Sequence, residues 1–377
     1  MDLTSQYATL RIKNPVVLSS AGVTATVDRM KRAEDAGAAA VVMKSLFENP
    51  VPRSGDPSPH MLVLHGRIGQ LHSDSFYSYE QASRFDEHRY AEEVYLAKKS
   101  LEIPVVANLD CRSTEAWTKY AKLVEQAGAD AVEVKMCPHG EFHGMPLPDV
   151  IRLVRKTVKI PVVGKLLPQL DNPVSAYLDA SATGADGIVM FNRMSGLDID
   201  VETMAPVMHG GIAGYGGAWY KHFCLRWIAE CQGRADLPIT GSGGVGSGED
   251  VVKYILAGAR SVEIATLVIF EGYGAIARVL DETAEWMERK QVACLAGVTG
   301  LAARALKHLE QIDRSTLHRA VIDPGKCIGC GRCSACCFRE ACSQAGGVAE
   351  IDQRCEGCGL CLSVCPSGAI SLAVRQI

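Results

Sequence analysis

IPVVANLDCRSTEAWTKYAKLVEQAGADAVEVK, residues 103–135, contains one complete structural unit. A proline leads an apolar run at 103–108. A helical period follows at 114–128, with Ser and Thr near its start and Gly after its end. That glycine opens straight into a second apolar run ending at Lys135. Neither run alternates, as expected of strands buried on both faces of a parallel sheet.

The same grammar extends in both directions. Proline-led runs recur as NPVVLS (14–19), IPVVGK (160–165) and LPITGS (237–242). Glycine-led runs recur as AGAAAVVMK ending at Lys44, TGADGIVMFN ending at Asn192 and AGARSVEIAT ending at Thr266. The two kinds interleave without a miss and predict eight strands of four to six residues. Eight βα units in this length predict a (β/α)8 TIM barrel, a fold of typically about 250 residues. An open doubly wound sheet is the alternative, and eight consecutive units of equal grammar disfavour it. The loop after the second strand, Leu46 to about Phe85, carries four prolines and aromatics at Phe76, Tyr77 and Tyr79. Its length suggests a lid or docking surface.

Ten of the 15 cysteines lie between Cys327 and Cys365. Eight form two copies of C-x2-C-x2-C-x3-C: Cys327, Cys330, Cys333, Cys337, then Cys355, Cys358, Cys361, Cys365, followed by Pro366. This is the ligand pattern of a small bacterial-type ferredoxin domain with two [4Fe-4S] clusters, in which the fourth cysteine of each run ligates the other cluster. One cluster is therefore assigned Cys327, Cys330, Cys333 and Cys365, the other Cys355, Cys358, Cys361 and Cys337. Paired structural zinc sites are the competing reading, but zinc needs neither the crossed fourth ligand nor the C-P ending. Cys336 and Cys342 read as small buried cysteines. The expected domains are a barrel over 1–290, a helical linker over 291–320 and the ferredoxin-like domain over 321–377.

A net charge of -4 without a long basic block argues against nucleic acid as a partner. The first 20 residues carry no secretory pattern, and no stretch reaches 18 uninterrupted apolar residues. These features lead us to expect a cytoplasmic chain with no membrane association. The five cysteines before residue 326 lack regular spacing, so no disulfide framework is expected.

The chemistry of a barrel sits where strands end. GSGGVG (241–246) matches G-x-G-x-x-G, but it follows the seventh strand, not the first, so a Rossmann reading fails. Gly243 and Gly244, with Ala265 and Thr266 after strand eight, instead occupy the usual phosphate site of barrels. Lys44 and Lys165 end apolar strands, and two lysines aimed into one barrel mouth suit an anion. A reduced flavin carries such charge near N1 and O2. The combination reads as a barrel holding FMN, with electrons relayed by the clusters.

NPVVLSSAG, VVMKS, IPVVAN, CPHG (137–140), PVVGKLLP, FNRMSGL, YGG (215–217) and GSGGV, with CIGCGRC and CEGCGLCLSVCPSGAI, cover nearly the whole chain. These stretches resemble the dihydroorotate dehydrogenase superfamily, and most of all the FMN and iron–sulfur part of dihydropyrimidine dehydrogenases. The resemblance implies FMN contacts from Ser20, Ala21, Lys44, Ser45, Asn108 and Lys165. It extends these to Ser195, Gly196, Gly217, Gly243, Gly244, Ala265 and Thr266, and it places Asn192 facing the substrate. It also implies a reaction across a carbon–carbon bond, and pairing into a homodimer or larger assembly.

The departures point to a different substrate. Where the family has N-x-S-C-P, this chain reads VEVKMCPHG, with Lys135 in place of the asparagine or with one residue missing. The cysteine that serves pyrimidine reductases as proton donor is absent from the shortened loop EFHGMPLPD, and Asn192 is followed by Arg193. His143 and His139 are the candidates to replace that acid, with Cys137 and Glu141 behind them. Lys44 and Asn192 are further catalytic candidates. Cys137, His139 and His143 as a zinc site is a weaker reading without a fourth ligand. If Lys135 and Arg193 both face the cavity, the substrate is anionic, its carboxylate held by the guanidinium.

No second nucleotide-binding domain is visible, so the expected electron donor is a ferredoxin or an NAD(P)H-oxidising flavoprotein subunit. Two rival readings are an electron-transfer subunit with a non-catalytic barrel and a redox-neutral isomerase or lyase acting on a phosphorylated substrate.

Overall fold

The computed structural model describes residues 1–48, 60–68, 71–79, 85–135, 145–207, 212–313 and 315–374. The chain divides into two compact units, residues 1–306 and 307–377.

The first unit is a closed barrel of eight parallel strands: β1 (Val16–Leu18), β2 (Ala40–Val42), β3 (Val105–Asp110), β4 (Ala131–Lys135), β5 (Val162–Lys165), β6 (Gly187–Met190), β7 (Ile239–Ser242) and β8 (Ser261–Ile264). Each strand pairs with the next, and β8 closes on β1 with Val262 opposite Val16. The expected count and order of strands hold. β1 and β2 are shorter than expected, at three residues each, because the chain leaves the ladder early to form its loops.

Helices follow the strands as α1 (Val27–Asp35), α2 (Glu87–Ser100), α3 (Thr114–Gln126), α4 (Leu147–Thr157), α5 (Pro173–Ala182), α6 (Lys221–Cys231), α7 (Gly248–Ala257) and α8 (Gly274–Arg289). The sequence sets their ends. Ser113 Oγ accepts from Ala116 N at 3.1 Å to start α3, and Gly128 takes a φ of +96° just beyond it.

Two apolar layers result. Side chains between strands and helices form the larger core, including Trp117, Ile151, Tyr177 and Ile188. The barrel interior is a narrower core of Val17, Ala40, Val42, Val106, Ala131, Val163 and Val189. An antiparallel hairpin, Ser5–Tyr7 with Leu10–Ile12, plugs it by adding Tyr7, Ala8 and Ile12. Gly187, the first residue of β6, admits this plug, because a Cβ there would lie 2.9 Å from the Ala8 Cα. The unit continues past residue 290, where Asp2 bridges to Cys294 and Leu295 is buried.

The long loop after β2 contributes an antiparallel hairpin, His60–Ile68 with Leu71–Tyr79. Its second strand pairs with Ala213–Gly216, which pairs in turn with Met194–Gly196. Segments far apart in sequence thus build one four-stranded sheet. Phe76 meets Phe270 edge-on at 5.2 Å, and Trp219 Nε1 donates to Ser75 Oγ at 3.0 Å.

In the second unit, His318–Ile322 pairs antiparallel with Ile370–Val374, and Cys342–Ala345 with Val348–Ile351. Two short helices, Arg332–Cys336 and Leu360–Val364, each begin after a glycine of positive φ, Gly331 and Gly359. No helix among the described residues is long and apolar enough to cross a membrane.

Candidate active site

A cavity of about 310 Å³ opens where the barrel strands end. Small-molecule sites begin at about this size. Nine of the thirteen expected FMN contacts line it: Ser20, Ala21 and Lys44 on one side, Lys165 beneath, and Gly217, Gly243, Gly244, Ala265 and Thr266 beyond. The other four do not. Ser45 is buried behind Ser20, with its Oγ 3.2 Å away, and Asn108 is fully buried below. Ser195 lies in the four-stranded sheet, donating its hydroxyl to Gln169 Oε1 at 2.8 Å, and Gly196 is its neighbour there.

Among substrate candidates, Lys135, Asn192 and Arg193 all line the cavity. Lys135 and Lys44 place their ammonium groups 4.8 and 5.9 Å from the Phe47 ring, so the two charges share one side of the mouth. The Arg193 side chain lies against Gly214, where any Cβ would overlap its guanidinium. Asn192 is fixed through its backbone: its N–H donates to Leu166 O at 2.8 Å and its carbonyl accepts from Tyr220 OH at 3.0 Å. Cys137, His139, Glu141 and His143 lie outside the described residues.

The glycine loop has the form a phosphate ester needs. Gly243 and Gly244 take φ values of +117° and +68°, and a Cβ on Gly244 would lie 2.8 Å from Gly217 O. Only bare backbone fits there, so the loop presents main-chain groups. Tyr254 OH braces the loop by donating to Gly243 O at 2.6 Å. Asp250 holds Gly246 N at 2.9 Å and pairs with Lys221. The main-chain groups of this loop suit a phosphate ester, and Lys44 and Lys165, which line the same cavity, suit an anion.

The cavity floor surrounds the expected Lys165 with four residues that were not among the expected site residues, Tyr7, Ser19, Glu133 and Glu263. Lys165 donates to Glu133 Oε1 at 3.2 Å, to Ser19 Oγ at 3.2 Å and to Glu263. Tyr7 OH lies 3.0 Å from Glu133 Oε2 and 3.3 Å from Glu263 Oε1, and Ser19 Oγ donates to Glu263 Oε2 at 2.6 Å. Asn108 Nδ2 also donates to Glu133, leaving its buried Oδ1 without a partner among the described residues. A glutamate in the middle of AVEVK and another in SVEIAT were the available signals, since each interrupts an otherwise apolar buried strand.

Burial, and then the charge of Glu263, push the Glu133 carboxyl up to about 8 despite Lys165. Against the same burial, Lys165 and its other donors hold Glu263 below the usual carboxylate range. Burial would lower Lys165, but the two carboxylates outweigh it and raise it. The unfolded Glu133 titrates near 4.5, so across pH 4.5 to about 8 the folded state binds the extra proton. Stability should therefore fall as pH rises through that window. Melting temperatures of Glu133→Gln should decline less than those of the wild type between pH 5 and 8, and parallel curves would contradict this.

In the second unit, one small cavity is lined by Cys327, Cys330, Cys333 and Cys365, another by Cys337, Cys355, Cys358 and Cys361. Backbone N–H groups reach the sulfurs: Ala349 to Cys327 at 3.5 Å, Ala369 to Cys365 at 3.3 Å, and Ala320 and Gly357 to Cys355 at 3.4 Å. Four thiols around a cavity, with amides aimed at sulfur, suit an iron–sulfur cluster. Cys342 is buried as expected and borders the second cavity. Cys336 departs from expectation: it is only partly buried, because it ends a short surface helix, and its thiol donates to Cys333 O at 3.4 Å.

Comparison with known proteins matches residues 2–287 to the dihydroorotate dehydrogenase family and residues 350–371 to the 4Fe-4S binding domain family. The chain is 31% identical over 318 residues to the catalytic subunit of dihydroorotate dehydrogenase B (NAD(+)) of Methanocella arvoryzae, covering 81% of this chain and 100% of that one. Its counterpart in Methanocaldococcus jannaschii is 29% identical over 304 residues, covering 78% and 95%. The NAD-dependent dihydropyrimidine dehydrogenase subunit PreA of Escherichia coli is 27% identical over 362 residues, covering 89% and 85%.

Proposed function

Because this chain belongs to the dihydroorotate dehydrogenase family, we propose that it is an FMN-dependent oxidoreductase that adds or removes hydrogen across a carbon–carbon bond of a small anionic substrate. The observation that carries this reading is a single cavity in which a glycine phosphate loop and Lys165 meet three further cations, Lys44, Lys135 and Arg193. A flavin mononucleotide held there would supply hydride transfer toward the substrate and single-electron exchange with iron–sulfur centres. Lys44 would hold the ring, Lys165 would act on it by charge from within its buried network, and Gly243, Gly244, Ala265 and Thr266 would hold the phosphate. Lys135 and Arg193 hold a substrate carboxylate, with Asn192 beside it.

The two cysteine-lined cavities support two [4Fe-4S] clusters that relay electrons. The relatives are named as subunits, which supports a separate electron-donating partner, either a ferredoxin or a flavoprotein subunit. The proton donor in this reading is one of His143, His139, Cys137 and Glu141, which lie outside the described residues.

Anaerobic purification followed by cofactor analysis tests this reading. About one FMN and about eight irons per chain are expected, the sum of two four-iron clusters. Irons without flavin would move the phosphorylated-substrate reading forward, and flavin without turnover of any unsaturated acid would favour an electron-transfer subunit. Arg193→Leu should raise KM about 10- to 100-fold, the loss of one charge-assisted hydrogen bond of about 1.5–3 kcal/mol, with a smaller change in kcat. An unchanged KM would remove Arg193 from the substrate site.

A further inference from the structure

Glu133, Lys165 and Glu263 are at most 4% exposed, and two carboxylates share one ammonium. The groups facing the pair are Tyr7 from the N-terminal hairpin, Ser19 just after β1, Asn108 from β3 and Lys165 from β5. Tyr90 of α2 stands behind Asn108, its hydroxyl 3.1 Å from Asn108 N. Only Lys165 among them is a cation. Two ionised carboxylates this close to each other and to a single cation, in a dry site, are strongly disfavoured. The pair therefore holds a proton, and burial places its loss near pH 8.

We propose that the Glu133–Glu263 pair, clamped by Lys165 and Tyr7, is a one-proton site built into the cavity floor, and that it loads from water as the flavin takes up electrons. This rests on the flavin reading above. Lys165 and Glu263 both border the cavity. All three N–H donors of Lys165 are engaged by Glu133, Glu263 and Ser19. Lys165 therefore meets a flavin as part of a network that is neutral with the proton and negative without it.

Negative charge arriving above this floor favours the protonated network, and by reciprocity the protonated network favours the reduced flavin. In balance, starting from the unprotonated network, two electrons pass from the reductant to the flavin with the one proton its reduced anion carries, and one further proton leaves a water O–H bond, releasing hydroxide to solvent, and forms an O–H bond at a Glu133 oxygen. Glu133 and Glu263 are positioning residues, since their effect on the flavin runs through Lys165 and charge.

The test is reduced-minus-oxidised infrared difference spectroscopy of the holoenzyme with dithionite at pH 8.5, with an indicator dye reporting proton uptake. Wild type should gain a deuterium-sensitive carbonyl band of a protonated carboxyl and take up about one proton more per flavin than Glu133→Gln. Glu263→Gln should also lose the band, because the remaining carboxylate then pairs with Lys165 alone. Should either variant not fold, Tyr7→Phe keeps both carboxylates and should shift the band by removing a donor. A wild-type spectrum without the band while the flavin bleaches, or a band that survives Glu133→Gln, would overturn the proposal. Absence of flavin bleaching would sink the flavin reading instead. The proton site is then read by pH titration, in which the band should vanish through about pH 8 in wild type only.

Discussion

Lys165→Met should lower the stability of the protein by about 3–5 kcal/mol, because it strips two buried carboxylates of the one cation that pairs with them among the described residues. For a chain of this size that corresponds to a fall in melting temperature on the order of 10 °C, readable by calorimetry of the anaerobic holoprotein. The same change should release flavin, since Lys165 also borders the cavity. Adding Glu263→Gln should recover part of the stability but none of the flavin. This separates the fold's use of the lysine from the site's. Additive losses in the double variant would show that the two residues do not interact.

Single substitutions of the fourth cysteines should give a crossed result. Cys365 is sequence neighbour to Cys361, yet it lines the cavity of Cys327, Cys330 and Cys333, and Cys337 lines that of Cys355, Cys358 and Cys361. Cys365→Ala should therefore reduce iron from about eight to about four per chain and spare the cluster held by the second run. Cys337→Ala should spare the one held by the first. Selective alkylation of the cysteines exposed in each variant, mapped by mass spectrometry, reads which run was emptied. Loss of ligands from the same run as the substituted cysteine would refute the crossed pairing.

Much of this was legible in the chain itself, for physical reasons. Helix-ending glycines and strand-leading prolines act locally, so AGADAVEVK and IPVVAN marked β4 and β3 without tertiary knowledge. Cysteine spacing is set by ligand geometry, so the two sets of four could be assigned before their cavities were seen. Gly243 and Gly244 were legible because positive φ leaves few alternatives to glycine. What stayed hidden depends on contacts distant in sequence. Tyr7 reaches Glu133 and Glu263 across more than 120 residues, and nothing near Tyr7 announces it. Asn108 resembled a lining residue because it ends its apolar run, yet Glu133 draws it below the cavity. The pairing of Leu71–Tyr79 with Ala213–Gly216 joins two loops with no local pattern in common.

That last pairing ties admission to orientation. The hairpin over the mouth is stitched by backbone hydrogen bonds to Ala213–Gly216, and through it to Met194–Gly196, the strand that starts next to Arg193. The hairpin cannot swing aside without pulling on the segment that carries the guanidinium. Val63, Ser75 and Phe76 of the hairpin and Arg193 line the same cavity, so the wall and the guanidinium are coupled through one hydrogen-bonded sheet.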